Sequence, residues 1–105
     1  MSKTIRFQVA LAAVVLLAGA VGFAQSAGEA TYKAKCQMCH GATGAPSAGM
    51  AKAMGIKAST DPEIKALTAD QMAAAVKNGK GKMKPIAGLT DAQIKDVVAF
   101  YRGLK

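Results

Sequence analysis

The stretch Cys36-Gln37-Met38-Cys39-His40 decides the fold of this chain. Two thiols three positions apart lie on one side of a helical turn, where both can reach the same flat ligand. The histidine that follows the second thiol can lie under that ligand with its imidazole aimed at the centre. Thiol, thiol and imidazole in the order C-x-x-C-H form the pattern by which haem is attached covalently to a protein. The stretch therefore predicts one haem c, bonded through Cys36 and Cys39, with His40 as an iron ligand.

Other uses of these side chains fit the chain less well. A structural zinc site needs four ligands, whereas the chain has two Cys and one His. A thioredoxin-like C-x-x-C normally lies in a β-α-β context, which the sequence does not show. A disulfide between the two cysteines would close a loop too short to stabilise the chain much. Haem attachment is the interpretation that uses all three side chains.

Iron that only transfers electrons needs a second axial ligand, and a methionine thioether is the usual partner of histidine in such sites. The candidates after residue 24 are Met38, Met50, Met54, Met72 and Met83. Met38 lies inside the attachment motif and cannot reach the opposite face of the ring, and Met72 fits an apolar helix face better. Met50 and Met54 lie in the loop just after His40, on the same side of the ring as the histidine. Met83 lies in a glycine-flanked loop, far enough along the chain to cover the other face. We predict Met83 as the ligand, with Met54 as the second candidate.

The N-terminal segment has the three parts of a secretory signal peptide. Two basic residues precede an uncharged run over residues 9–24, VALAAVVLLAGAVGFA, and the run ends in the small-x-small pattern Gly22-Phe23-Ala24. The run is shorter than the roughly 20 residues that a spanning helix needs, although an uncleaved membrane anchor is the alternative. We predict a signal peptide over residues 1–24, a single domain over residues 25–105, and export to the periplasm.

The charge of the chain bears on its partners. It has 14 basic and 6 acidic residues and a formal net charge of +8. A basic cytoplasmic protein would suggest nucleic-acid binding, but an exported protein meets little nucleic acid, and no stacking aromatics stand among these lysines. Four lysines crowd the segment around the proposed ligand loop: Lys77, Lys80, Lys82 and Lys84. We expect them to attract redox partner proteins with an acidic docking surface, and a solvated loop without partner preference is the alternative.

Helix signals recur through the domain, and no strand pattern is visible. Good helix formers fill residues 28–39, and Asp61-Pro62-Glu63 has the features of a helix start that leads to about Leu67. Residues 41–59 are rich in Gly, Ala and Ser and predict a loop with one helical turn around Met50–Met54. The glycines and the proline of residues 79–85 predict a second loop.

Two capping boxes mark the clearer helices. Thr68 and Gln71 open a helix that ends at Asn78-Gly79, and Thr90 and Gln93 open the terminal helix. Apolar residues at helical spacing give the terminal helix a buried face: Ile94, Val97, Val98, Tyr101 and Leu104. The signals together predict an all-α, compact domain of roughly four to five short helices around one haem.

These features together resemble the class I c-type cytochromes, and in particular the small bacterial monohaem type. The resemblance rests on residues 36–40, on the methionine of the GKGKM segment (79–83) and on the terminal amphipathic helix, and it covers essentially the whole domain. It implies the compact cytochrome c fold and a six-coordinate His40/Met83 iron. Such an iron gains and loses one electron without binding substrate, so the resemblance implies a periplasmic electron carrier rather than an enzyme.

The resemblance also implies how the first and last helices meet. In the family, a glycine and an aromatic residue ahead of the motif pack against two residues of the last helix. Gly28 and Tyr32 hold the corresponding positions, with Val98 and Tyr101 as expected partners. The family further uses a proline carbonyl after the motif to orient the ligating histidine, and Pro46 is the candidate for that function.

Two functions of other classes stay open from the sequence. An enzyme or sensor with an open iron position, such as a peroxidase-like or gas-binding protein, would require that Met83 does not bind. An electron-transfer subunit of a membrane-anchored redox complex would fit a retained helix over residues 9–24, and this is also the only case in which we expect membrane contact. The cleavage site at the end of that run favours the free carrier.

Overall fold

The computed structural model describes Gly22 and residues 25–105 of the chain. The prediction of a signal peptide over residues 1–24 lies outside the described residues, apart from Gly22. The helices are α1 (residues 25–35), α2 (Gln37–His40), α3 (Ala48–Met54), α4 (Pro62–Lys65), α5 (Ala69–Asn78) and α6 (Asp91–Arg102). The described residues contain no strand, only an isolated bridge between Lys80 and Met83. The prediction of an all-α fold is confirmed. Of the helices described, none is both long and apolar enough to cross a membrane.

The two capping boxes form as the sequence predicts. At the start of α5, the backbone N–H of Gln71 donates to Thr68 Oγ1 at 3.1 Å, and the N–H of Thr68 donates to Gln71 Oε1 at 2.9 Å. Thr90 and Gln93 make the same pair of hydrogen bonds at the start of α6, at 3.1 and 2.9 Å. Each box satisfies two backbone donors that a helix start otherwise leaves unpaired, so both helices begin at a fixed residue.

The helix at residues 28–39 is interrupted, which raises the number of helices above the predicted four to five. Cys36 has φ −117° and lies in a turn between α1 and α2. The N–H of Cys39 donates to the Cys36 carbonyl at 3.2 Å, a three-residue step that tightens the helix at this point. The break separates the two thiols from the straight part of α1.

Two short helices differ in length from the prediction. α3 extends over two turns instead of one, because the Ser47 hydroxyl accepts a hydrogen bond from the Met50 N–H at 3.3 Å and starts the helix early. α4 ends at Lys65, short of the predicted Leu67. Its start is as predicted, since the Asp61 carboxylate accepts from the Glu63 N–H at 2.9 Å and Pro62 takes the first helical position.

The core lies between α5 and α6. It is formed by Met72 and Val76 of α5 and by Ile94 and Val98 of α6, all less than 9% exposed. Partly buried apolar side chains surround these four: Ile64, Leu67, Ala73, Met83, Ile86, Leu89 and Tyr101. Full burial of such a side chain contributes about 1.5–3 kcal/mol to the free energy of unfolding. A cluster of this size makes only a marginal core for a small domain, so a group bound beside it would add to the stability.

α1 crosses α6 at Gly28. A Cβ atom at this position would lie 2.3 Å from the Asp96 carbonyl oxygen and 2.9 Å from Phe100 Cβ, so only glycine permits the approach. The nearest atoms of α6 belong to Asp96 and Phe100, whereas the expected contact with Val98 stays a prediction. Asp96 and Phe100 are four apart and lie on a second face of α6, which the single apolar stripe read from the sequence does not include.

The expected contact between Tyr32 and Tyr101 is present. Their ring centroids lie 6.1 Å apart in a stacked arrangement, and the Tyr32 ring also lies 5.3 Å from that of Phe100. Tyr32 is only 1% exposed. The aromatic cluster of Tyr32, Phe100 and Tyr101 thus joins α1 to α6 directly beside the attachment motif.

Candidate haem-binding site

A cleft of about 630 Å³ opens beside the core, within the size range of pockets that hold small organic ligands. Side chains from all six described helices, from residues 55–57 and from the 80–86 loop line it, and most of them are apolar. All four predicted site residues line this cleft: Cys36, Cys39, His40 and Met83. Met54 and Met72 line it too, so the second candidate for the methionine ligand also lies within the site.

His40 is the last residue of α2 and is half-buried. Burial lowers the pKa of its imidazole, which favours the neutral form that binds metals. The ring meets the Tyr101 ring edge-on, with centroids 5.5 Å apart. Within the described residues, the buried Nδ1 atom has no hydrogen-bond partner. The expected bond from this nitrogen to the Pro46 carbonyl is therefore not formed in the described residues.

The two cysteines are unpaired and partly buried. Burial raises the pKa of the Cys36 thiol, and the neighbouring Cys39 raises it further. Both cysteines line the cleft together with His40.

Met83 lies at the end of a tight turn. The N–H of Lys80 donates to the Met83 carbonyl at 2.9 Å, and the N–H of Met83 donates to the Lys80 carbonyl at 3.0 Å. Gly81 has φ +58°, the left-handed value that primed two-residue turns require of their first central residue. The N–H of Ile86 then donates to the Val76 carbonyl at 2.9 Å and fixes the end of the loop on α5. The segment predicted as an irregular loop is thus a defined turn that carries Met83 against the core.

The side chains present fit a covalently bound haem. Two thiols, an imidazole and a thioether are the donor set of such a group, and they line one largely apolar cleft.

Comparison with known families shows to which protein family the chain belongs. Residues 23–100 match the model of the family described as cytochrome c oxidase, cbb3-type, subunit III. The chain belongs to this family of small class I c-type cytochromes. A c-type cytochrome contains covalently bound haem c with iron and exchanges electrons with redox partner proteins, so the cytochrome is an electron carrier.

Relatives of the cytochrome agree over most of its length. It is similar to cytochrome c-555 of Chlorobaculum tepidum, at 33% identity over 98% of this chain and 97% of the relative. It is also similar to cytochrome c-555 of Chlorobaculum thiosulfatiphilum, at 40% identity over 74% of this chain and 93% of the relative. Among solved structures, the KustC0563 c-type cytochrome matches with a TM-score of 0.66 and 27% identity, over 74% of this chain and 96% of that one.

Two contacts in the cytochrome have no signal in the sequence. Lys82 Nζ donates to the Ala53 carbonyl at 3.1 Å and so joins the Met83 loop to the end of α3. The Tyr32 hydroxyl donates to the Gly41 carbonyl at 2.5 Å. Both bonds end on a backbone carbonyl, and sequence patterns do not reveal which carbonyl a distant side chain can reach.

Proposed function

We infer that this cytochrome is an exported one-electron carrier whose haem is attached through Cys36 and Cys39 and whose iron lies between His40 and Met83. The observation that carries the proposal is the shared cleft, which the thiols and the imidazole of one segment line together with the thioether of a loop more than forty residues later. When bound, the haem supplies a one-electron redox couple.

The residues around the cleft have distinct functions in this proposal. His40 and Met83 would both ligate the iron, and an iron saturated by protein ligands would leave no position for oxygen, peroxide or substrate, so we expect the cytochrome to transfer electrons without catalysis. Apolar side chains such as Val76 and Val98 exclude water from the cleft. Exclusion of water disfavours the oxidised iron, which carries more positive charge, and so raises the reduction potential.

The proposed methionine ligand can be tested by absorption spectra of the haem-loaded protein, made in a host with haem-attachment machinery. The ferric wild-type protein is expected to show a weak sulfur-to-iron band, and Met83→Ala should abolish it. Met54→Ala is the matched control, since Met54 lines the same cleft and should leave the band unchanged. Loss of the band in Met54→Ala but not in Met83→Ala would transfer the ligand function to Met54.

The rim of the cleft fits an acidic partner surface. Five lysines lie along it: Lys35, Lys57, Lys80, Lys82 and Lys84. Lys57 forms an ion pair with Glu63. Lys77 is not among these five lysines, and its Nζ atom lies 3.6 Å from Oδ1 of Asp91. The lysines of the Met83 loop form no ion pair within the described part of the chain. They can steer a partner and raise its association rate about 10 to 1,000-fold at low salt, so the measured rate should fall steeply as salt is added. We expect no nucleic-acid partner.

Export belongs to the same proposal. Residues 1–24 are expected to be removed as a signal peptide, which leaves residues 25–105 as the mature cytochrome domain in the periplasm. The mass of the protein isolated from the periplasmic fraction tests this directly. A mature mass that includes residues 9–24 would contradict cleavage.

A second candidate function is favoured by the description of the matching family, which names a subunit of an oxidase. In that case the cytochrome is an electron-transfer subunit of a membrane-anchored redox complex, with residues 9–24 retained. Cell fractionation separates the two proposals, because the free carrier is released with the periplasm whereas the subunit remains with the membranes.

A further inference from the structure

The hydroxyl of Tyr32 bonds to the residue that directly follows the proposed iron ligand. Tyr32 is 1% exposed, and its hydroxyl donates to the Gly41 carbonyl at 2.5 Å across nine positions of sequence. Gly41 is joined to His40 by a single peptide bond. A buried side chain of α1 is thus linked to the backbone at the point where the chain leaves the ligand.

Packing alone does not require this hydroxyl. The Tyr32 ring contacts the rings of Phe100 and Tyr101, and a phenylalanine would make the same ring contacts. A buried hydroxyl is costly unless it is hydrogen-bonded, so its presence here points to the bond that it makes. Burial, the largest cause, raises the pKa of Tyr32 to about 12, so the hydroxyl keeps its proton and remains a donor at neutral pH.

Few other hydrogen bonds hold the Gly41 carbonyl. α2 has only four residues, and the Gly41 N–H closes it by donating to the Gln37 carbonyl at 2.8 Å. The Gly41 carbonyl accepts one further bond, a long one of 3.4 Å from the Gly44 N–H. Within the described residues the imidazole has no hydrogen bond at Nδ1, and its ring contact is the edge-on one with Tyr101.

We propose that Tyr32 is a positioning residue for His40: its hydroxyl holds the Gly41 carbonyl and thereby fixes the direction in which the imidazole points into the cleft. The inference rests on the proposed function, in which His40 ligates the iron. The chain is held on one side by the short helix α2 and on the other by the Tyr32 hydroxyl, and together they limit the directions in which the backbone can present the imidazole.

The test compares Tyr32→Phe with Tyr101→Phe in the haem-loaded protein. Both changes remove one hydroxyl from the same aromatic cluster, but in the described residues the Tyr101 hydroxyl makes no hydrogen bond. Two quantities are measured by NMR: the shifts of the His40 ring protons in the ferric protein, and the amide exchange rates along the chain. Tyr32→Phe should change the His40 shifts and speed exchange at Gly44 about tenfold, with exchange in α5 unchanged. Tyr101→Phe should leave the Gly44 exchange rate as in the wild type.

The outcomes separate positioning from general stability. Unchanged His40 shifts in Tyr32→Phe, or equal acceleration of exchange across α5 and α6, would reduce Tyr32 to a core residue and overturn the inference. A measurement on the wild-type protein needs no variant, because the Tyr32 hydroxyl proton should exchange slowly and show an NMR contact to Gly41. If this slowly exchanging proton or its contact to Gly41 is not observed, the inference is also overturned. If the wild-type spectrum shows no ring protons shifted by the iron, the ligand assignment fails first, and this inference fails with it.

Discussion

The histidine side of the cleft is held by buried side chains, whereas the methionine side is held by backbone hydrogen bonds in an exposed loop. Tyr32 is 1% exposed and packs with Phe100 and Tyr101 beside the attachment motif. The Met83 loop instead depends on the paired hydrogen bonds between Lys80 and Met83 and on exposed lysine side chains.

This difference predicts an order of events when the site opens. Local opening is easiest where few buried apolar contacts hold a segment and its hydrogen bonds are exposed to water. The methionine side fits that description, and the histidine side does not. We therefore expect Met83 to leave the iron before His40 under any mild perturbation.

The largest effect is expected from loss of the thiols. The double substitution Cys36→Ala and Cys39→Ala removes both sites of covalent attachment, and denatured protein should then retain no haem, as measured by haem staining after gel electrophoresis. Met38→Ala is the control in the same motif, because Met38 is 90% exposed and should leave attachment intact. Haem that stays bound to the double variant after denaturation would contradict the assignment.

Gly28→Ala weakens the packing of α1 against α6, which supports the histidine side of the cleft. The added Cβ would meet the Asp96 carbonyl oxygen at 2.3 Å, so α1 must move away from α6, at a cost of about 1–3 kcal/mol in the free energy of unfolding. Gly49→Ala in α3 is the matched control. Its Cβ would meet nothing within 4 Å, and alanine should stabilise this helix by up to about 1 kcal/mol. Denaturant unfolding of the haem-loaded proteins measures both, and equal stability of Gly28→Ala and the wild type would show that the crossing is not as tight as described.

The pH at which the Tyr32 hydroxyl ionises tests how well the histidine side of the cleft is buried. Burial raises its pKa from 10.0 to about 12, which means that the folded state holds the proton more tightly than the unfolded state. The stability that this contributes is fully present below pH 10 and is lost as the pH rises through about 12. NMR of ring-labelled tyrosine should show a midpoint near 12 for Tyr32, with Tyr101→Phe used to assign the signals. A midpoint at 10 would contradict the burial of the hydroxyl.

The smallest effect is expected from Lys82→Ala on the methionine side. The substitution removes the hydrogen bond to the Ala53 carbonyl, which is exposed and therefore worth about 0.5 kcal/mol. The rate at which added imidazole replaces the methionine ligand in the ferric protein should rise about twofold. Lys84→Ala is the control, since Lys84 lies on the same rim and its side chain makes no hydrogen bond among the described residues. Equal rates in both variants would show that the tether does not hold the loop.

The sequence predicts the parts of this molecule whose signals are local. The capping boxes at Thr68 and Thr90 involve residues three positions apart, and both helix starts follow from them. The attachment motif is equally local, and its three side chains line one cleft with Met83. The all-α fold follows from the same patterns.

Features that depend on contacts between distant elements were not predictable in the same way. The second face of α6, with Phe100 against Gly28, depends on the angle at which α1 crosses α6, which the apolar stripe does not encode. The bonds from Lys82 and Tyr32 end on carbonyls whose direction is set by the folded backbone. The missing bond between His40 and Pro46 has the same cause, since it requires one particular carbonyl to face the ring.

The most direct test of the central claim is addition of carbon monoxide to the reduced wild-type protein, followed by its visible spectrum. If His40 and Met83 occupy both axial positions, the low-spin spectrum should remain unchanged, whereas Met83→Ala should bind the gas and shift its spectrum. A wild-type spectrum that shifts as readily as that of the variant would mean an open iron position. The protein would then be a peroxidase-like enzyme or a sensor, and the account of a closed electron carrier would be wrong.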